Sequence, residues 1–261
     1  MSKPYIKTKQ DFGPHGFSWL SLKRIEWVDP VGRSRFWESV ERRTTASSGV
    51  DAVAVVARAV QKNKEPQALV ISQYRPAVGS NCLEMPAGLI DEGEDAGVAA
   101  IRELKEETGY HGKILTVTPV CFNDPGITNA NMMMAVVEID LDSEENRNVS
   151  QELHDGEFIS VEFAPWNDLL PWLLDRKRRE GVEVDARLLS FAMGMHQMQL
   201  MELHQNGTVA EHDAGVHGGR KTHGFLVCKR AGKLNPKAAI AVIATGIALI
   251  SSLFLRKNNN S

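Results

Sequence analysis

The sequence predicts an α+β fold, a sheet carrying helices, on three observations. Two runs rich in valine and alanine, VDAVAVVARAV at 50–60 and ALVISQ at 68–73, have the length and apolar content of buried strands. A Gly-rich turn from Gly88 feeds a short helix loaded with carboxylates. Two more stretches, 166–178 and 184–200, carry helical spacing.

The chain has 261 residues and a net charge of -3, enough for one ordinary domain plus extra segments. No basic stripe with interleaved aromatics appears, which argues against nucleic acid as a partner. Cys82, Cys121 and Cys228 show neither CxxC spacing nor an even framework, so reduced thiols in the cytosol are expected, with no disulfide and no zinc. The polar start MSKPYIKTKQ lacks the apolar core of a secretory signal.

Taken in order, residues 16–28 and 33–43 read as two strands around the turn Asp29-Pro30-Val31-Gly32, within an N-terminal β region spanning 1–45. Trp19, Trp27 and Trp37 are either core or interface anchors, or platforms for a nucleobase. The valine-rich strands follow, opening a main domain at 46–200. Between them and the helix lie Tyr74-Arg75-Pro76 and Glu84-Met85-Pro86-Ala87.

The helix is predicted from Asp95, a capping residue, to Gly109, a left-handed stop. Val98, Ile101 and Leu104 are expected to seat it on a core. Glu103, Glu106 and Glu107, at i, i+3 and i+4, share one face. An ordinary solvated acidic face would look the same by spacing. Here the glutamates stand beside a loop, Gly88 to Glu94, that Arg102 is placed to pin through Glu94. Mg²⁺ takes oxygen ligands, commonly one or two carboxylates plus substrate phosphates, and this junction supplies them.

Beyond it, 114–122 reads as a strand, 123–126 as a turn, and NMMMAVVEID at 131–140 as a strand whose methionines fill core space. A polar loop then ends at Gly156-Glu157 before the strand FISVEF. The last helix, 184–200, presents Leu188, Leu189, Ala192 and Met195 at helical spacing. Residues 201–237 read as a linker. Residues 238–255 hold no charge and, as a helix, would be about 27 Å long, near the thickness of a bilayer core. A buried core helix is the other reading. A membrane span is expected, with 256–261 as a short tail. Lys229, Arg230, Lys233 and Lys237 before it, against Arg256 and Lys257 after, favour a cytosolic catalytic domain, tail-anchored to a membrane such as the mitochondrial outer membrane or the peroxisome.

Written G-x5-E-x7-R-E-U-x-E-E-x-G-U, with U bulky and apolar or aromatic, the Nudix box is met at Gly88, Glu94, Arg102, Glu103, Leu104, Glu106, Glu107, Gly109 and Tyr110. The chain therefore resembles the Nudix hydrolases. FWESVERR, QYRP, Pro125 fifteen residues after Tyr110, DGEF and VDARLLSFA narrow the resemblance to the ADP-sugar pyrophosphatases, over roughly Trp19 to Met195. The resemblance implies an α/β/α sandwich with a mixed sheet, a domain-swapped homodimer formed through the N-terminal β region, and Mg²⁺ or Mn²⁺. It implies metal ligands at Glu103, Glu107, Glu157 and the Ala87 carbonyl, with Glu106 nearby and Glu157 as general base on a closing loop. Trp19 and Trp37 would clamp adenine, Arg75 would hold the diphosphate, and Glu38, Arg42, Leu89 and Asp124 would contact substrate. Trp27 aligns with neither clamp residue and reads as structural. The reaction implied converts ADP-ribose to AMP and ribose 5-phosphate. Rival readings are hydrolysis of another nucleoside diphosphate derivative, such as an oxidised nucleotide, and a catalytically silent, membrane-tethered ADP-ribose sensor.

Overall fold

The computed structural model describes residues 5–11 and 17–205. Its first unit is a three-stranded antiparallel sheet of β1 (Tyr5–Asp11), β2 (Leu20–Val28) and β3 (Ser34–Arg42), in the order β1-β2-β3. The predicted β2–β3 hairpin forms, and Asp29 builds its turn by accepting hydrogen bonds from the N–H groups of Val31, at 3.1 Å, and Arg33, at 2.8 Å. The β1 strand was not predicted, because YIKTKQD is mostly polar.

The main sheet follows from β4 (Ala52–Val60), β5 (Gln67–Arg75), β6 (Ser80–Glu84) and β7 (Ala87–Leu89). It is completed by β8 (Lys113–Val117), β9 (Cys121–Phe122), β10 (Asn131–Asp140), β11 (Ile159–Pro165) and β12 (Glu183–Val184). The order is β12-β6-β5-β4-β10-β8, with β11 beside β5, β7 beside β4 and β9 beside β10. The sheet is mixed: β4 and β10 run parallel, whereas β4 and β5 run antiparallel. The first residues of β5 pair with β4, and Ile71–Arg75 pair with β6. On its other side β5 carries β11 along most of its length.

Burial on both faces explains why β4 is apolar at every position but Arg58. Val53, Val55, Ala57 and Ala59 join one core with Ala99, Ala100 and Leu104 of α1 (Ala96–Thr108). Val56 joins the other core, with Leu169 and Leu173 of α2 (Leu169–Glu180) and Leu188 and Ala192 of α3 (Ala186–Gln205). Helices thus cover the two faces, as the sandwich expectation requires. Met132, Met133 and Met134 divide among three clusters, which is the filling role expected of them.

Several sequence readings need correction. Val98 is 61% exposed, and α1 seats itself through Ala96, Ala99, Ala100 and Leu104 instead. The strand expected over 114–122 is broken between Val117 and Cys121, where Thr118 turns its N–H to the Met134 carbonyl at 2.9 Å. The short strands β6, β7 and β12 were missed, and α3 runs to Gln205, past the domain end expected at 200. Among the described residues no helix is long and apolar enough to cross a membrane, and the 238–255 span and most of the 201–237 linker lie outside them.

Candidate active site

The site is built where β7 hands the chain to α1. Asp95 caps the helix, its carboxylate accepting the Gly97 N–H at 2.8 Å. Gly109 ends it at φ 78°, donating its N–H to the Lys105 carbonyl at 2.7 Å. Between these caps, i, i+4 spacing puts Glu103 and Glu107 on the face that packs toward β7. They are 8% and 6% exposed, so the expected acidic face is a buried one.

Gly88 shows why the site needs a glycine there. A Cβ at this position would lie 1.9 Å from the Glu103 carboxyl carbon, so the space is already filled by the carboxylate. One residue earlier, the Ala87 N–H donates to Glu107 at 2.9 Å. No salt bridge to Glu107 is found among the described residues. Burial is the main cause that pushes Glu107 up to about 8, with the charges of Glu103 and Glu157 adding to it. Burial likewise raises Glu103, against the pull of Arg102.

Arg102 organises the rest. It grips Glu94 through Nε and Nη2, both at 2.9 Å, and Nη2 also donates to the Leu89 carbonyl at 2.9 Å, so the predicted pinning of the loop is present. Its Nη1 reaches Glu103 at 2.8 Å and Glu106 at 3.2 Å. His154 Nε2 stands 3.7 Å from Glu106. Its neighbours, Glu94 foremost, raise the guanidinium further above its ordinary value.

Glu157 comes from the loop before β11. Gly156 takes φ 85°, and Glu157 accepts the His154 N–H at 3.0 Å. Sequence reading missed what brings this loop to α1. Gln151 Nε2 donates to the Glu107 carbonyl at 2.6 Å and the Ile159 carbonyl at 3.0 Å, and the Glu152 N–H donates to the Glu106 carbonyl at 2.8 Å. These bonds tie both ends of the loop to the helix that carries the carboxylates. Glu157 and Phe158 line a cavity of about 410 Å³ with Ser72, Asn81 and Leu153.

Arg75 faces this site, its charge acting on Glu107, but its Nε and Nη2 are taken by Glu84 at 2.6 and 2.8 Å. Glu84, only 4% exposed, was not predicted as a site residue. No local signal marks it, because its partner lies on the neighbouring strand and only the β5–β6 register brings the two together.

The donor set suits a hard cation. Glu103 and Glu107 are buried oxygen donors with little positive compensation for Glu107, and Glu157 is close enough for its charge to act on both. Among the described residues, however, no three acidic, histidine or cysteine side chains already converge as ligands. Arg102 holds Glu103 and Glu106, while the Ala87 N–H holds Glu107.

The substrate-binding set is not gathered within one chain. Trp37 is 48% exposed, and its indole N–H donates to the Gly126 carbonyl at 3.0 Å, which places it beside the Asp124 turn. Asp124 accepts the Gly126 N–H at 3.3 Å. Strand alternation puts Glu38 and Arg42 on the face opposite Trp37, and Trp19 is 69% exposed just before β2. Trp27, read as structural, lines an open hollow of about 530 Å³ with Trp37, Ile25, Tyr5 and Ile6.

Known proteins resemble this chain in sequence and in fold. An ADP-ribose pyrophosphatase of Saccharomyces cerevisiae is 42% identical over 181 residues, 68% of this chain and 77% of the yeast protein. An ADP-sugar pyrophosphatase of Mus musculus is 34% identical over 191 residues, 73% of this chain and 87% of the mouse protein. A crystal structure of an ADP compounds hydrolase superposes with a TM-score of 0.55 at 23% identity, covering 80% of this chain and 98% of that one, and so supports the fold. The NUDIX domain matches residues 50–184, the segment that holds β4 to β12 and every carboxylate of the site, and the chain belongs to the Nudix family.

Proposed function

We propose that the protein hydrolyses the diphosphate of ADP-ribose and related ADP-sugars to AMP and a sugar phosphate. The observation that carries this is the buried Glu103–Glu107 pair against Gly88, with Glu157 in electrostatic reach. The names of the yeast and mouse relatives support the choice of ADP-ribose over other nucleoside diphosphate derivatives.

In the reaction, water adds to one phosphorus, one bridging P–O bond breaks, and both products leave as phosphate monoesters. Glu157 takes the proton that the water loses, and Arg75 binds the phosphates through the edge that Glu84 leaves open. Glu103, Glu107 and the Ala87 carbonyl would hold Mg²⁺, or Mn²⁺, which supplies charge neutralisation for the diphosphate and acidifies water. Trp19 and Trp37 stack on adenine from two copies of the chain in a homodimer, which accounts for their separation within one copy. Residues 238–255 hold the protein to a membrane.

The test offers ADP-ribose, ADP-glucose, NADH and 8-oxo-dGDP to the purified protein in Mg²⁺ and resolves the products by chromatography. AMP and ribose 5-phosphate, formed fastest from ADP-ribose, are expected. Faster release of 8-oxo-dGMP would make the protein an oxidised-nucleotide hydrolase, and binding of ADP-ribose without turnover would make it a tethered sensor.

A further inference from the structure

Arg75 closes β5 and Glu84 closes β6, and the register pairs Arg75 with Ser80 and Ile71 with Glu84. The two side chains therefore share a face, and the arginine lies along it to reach the carboxylate. The contact is a fork: Nε to one oxygen at 2.6 Å and Nη2 to the other at 2.8 Å. Nη1 has no hydrogen-bond partner among the described residues. The exposure of the two partners is unequal, 43% for the Arg75 side chain and 5% for that of Glu84, so the pair has a buried anchor and an open end.

Two neighbours explain what the anchor does. Arg75 also feels the charge of Glu107. On the other side, Arg187 is held by Asp185 through the same Nε and Nη2 edge, both bonds 2.8 Å, and Glu84 acts on its charge too. Asp185 is fixed in turn by its own N–H, which donates to the Leu83 carbonyl at 3.0 Å. The charge of Glu84 thus acts on two arginines, each already committed along one edge.

We infer that Glu84 is a positioning residue for substrate binding: its fork fixes the Nε–Nη2 edge of Arg75 and leaves Nη1, at the open end of the pair, for the diphosphate. This rests on the hydrolase reading above. The effect of Glu84 passes through Arg75.

The experiment is steady-state kinetics with ADP-ribose in saturating Mg²⁺, on the full chain and on Glu84→Gln, Glu84→Asp, Arg75→Ala and the Glu84→Gln/Arg75→Ala double variant. Glu84→Gln is expected to raise KM about tenfold while kcat stays within about threefold, as loss of a binding contact requires. The KM of the double variant is expected to match that of Arg75→Ala alone, because the effect of Glu84 on substrate binding passes through that guanidinium. A purely structural role would instead lower kcat through a smaller folded fraction and leave KM unchanged. If Glu84→Gln does not fold, Glu84→Asp, which keeps the charge but withdraws it by one methylene, decides by the same KM readout. Unchanged KM in the Glu84 variants overturns the inference, as does a double variant whose losses multiply. Wild-type protein that leaves ADP-ribose intact overturns the hydrolase reading separately, and the series is then read on the nucleoside diphosphate derivative that it does turn over.

Discussion

Glu107 concentrates the chemistry of the site in one side chain. With its pKa at about 8 against an ordinary 4.5, the folded metal-free protein holds a proton that the unfolded chain has lost. Stability of the metal-free protein is therefore expected to fall as pH rises from 4.5 to about 8. Metal binding needs the ionised form, so Mg²⁺ affinity should climb over the same window and flatten above it. Calorimetry across pH with and without Mg²⁺ checks both signs, and affinity independent of pH would remove Glu107 from the ligand set. Glu107→Gln keeps the shape and the Ala87 contact on one side, so turnover should be lost with the fold intact, measured by kinetics beside thermal unfolding. Gly88→Ala acts on the neighbour. The atoms that meet the new Cβ are the far end of the Glu103 side chain, which can swing away. Activity should drop by about a hundredfold or more with a small change in Tm, since a displaced carboxylate costs geometry rather than folding.

At the scale of elements, α1 and the loop before β11 behave as one assembly, joined by Gln151 and the Glu152 N–H. Gly109 is the point where both meet: φ is 78°, and a Cβ there would lie 2.8 Å from the Ser150 nitrogen. Unlike Gly88, its obstacle is backbone, which cannot rotate aside. Gly109→Ala should cost about 1–3 kcal/mol of stability from the left-handed strain alone, and more from the clash, and denaturant unfolding measures it. Much of this assembly was legible in the sequence. Asp95, Arg102 and Gly109 act at single positions through local rules of capping and charge, so their spacing was enough. Val98 misled because helical spacing gives a stripe without saying which side the sheet covers, and three alanines took the role expected of it. Glu84 and Gln151 were illegible for another reason. Their partners lie on other strands or on the helix, and only the folded register brings them together.

For the whole molecule, the N-terminal sheet is the part whose sequence is not explained within one chain. Alternation places Leu20, Leu22 and Phe36 on one face, 47%, 46% and 59% exposed, and Ile6 and Trp37 on the other, 61% and 48% exposed. A three-stranded sheet with apolar side chains open on both faces is not what an isolated soluble chain presents. A second copy of the chain would cover the face of Leu20, Leu22 and Phe36. Light scattering coupled to gel filtration is expected to give a dimer, and Leu22→Glu with Phe36→Glu should convert it to monomer by placing charge in the covered face. Because the carboxylates of the site all lie in the main domain, that monomer should keep metal binding while KM for ADP-ribose rises through loss of the partner's tryptophan. A monomeric variant with unchanged KM would mean that adenine is held within one copy, by Trp37 and the hollow it shares with Trp27 and Ile25.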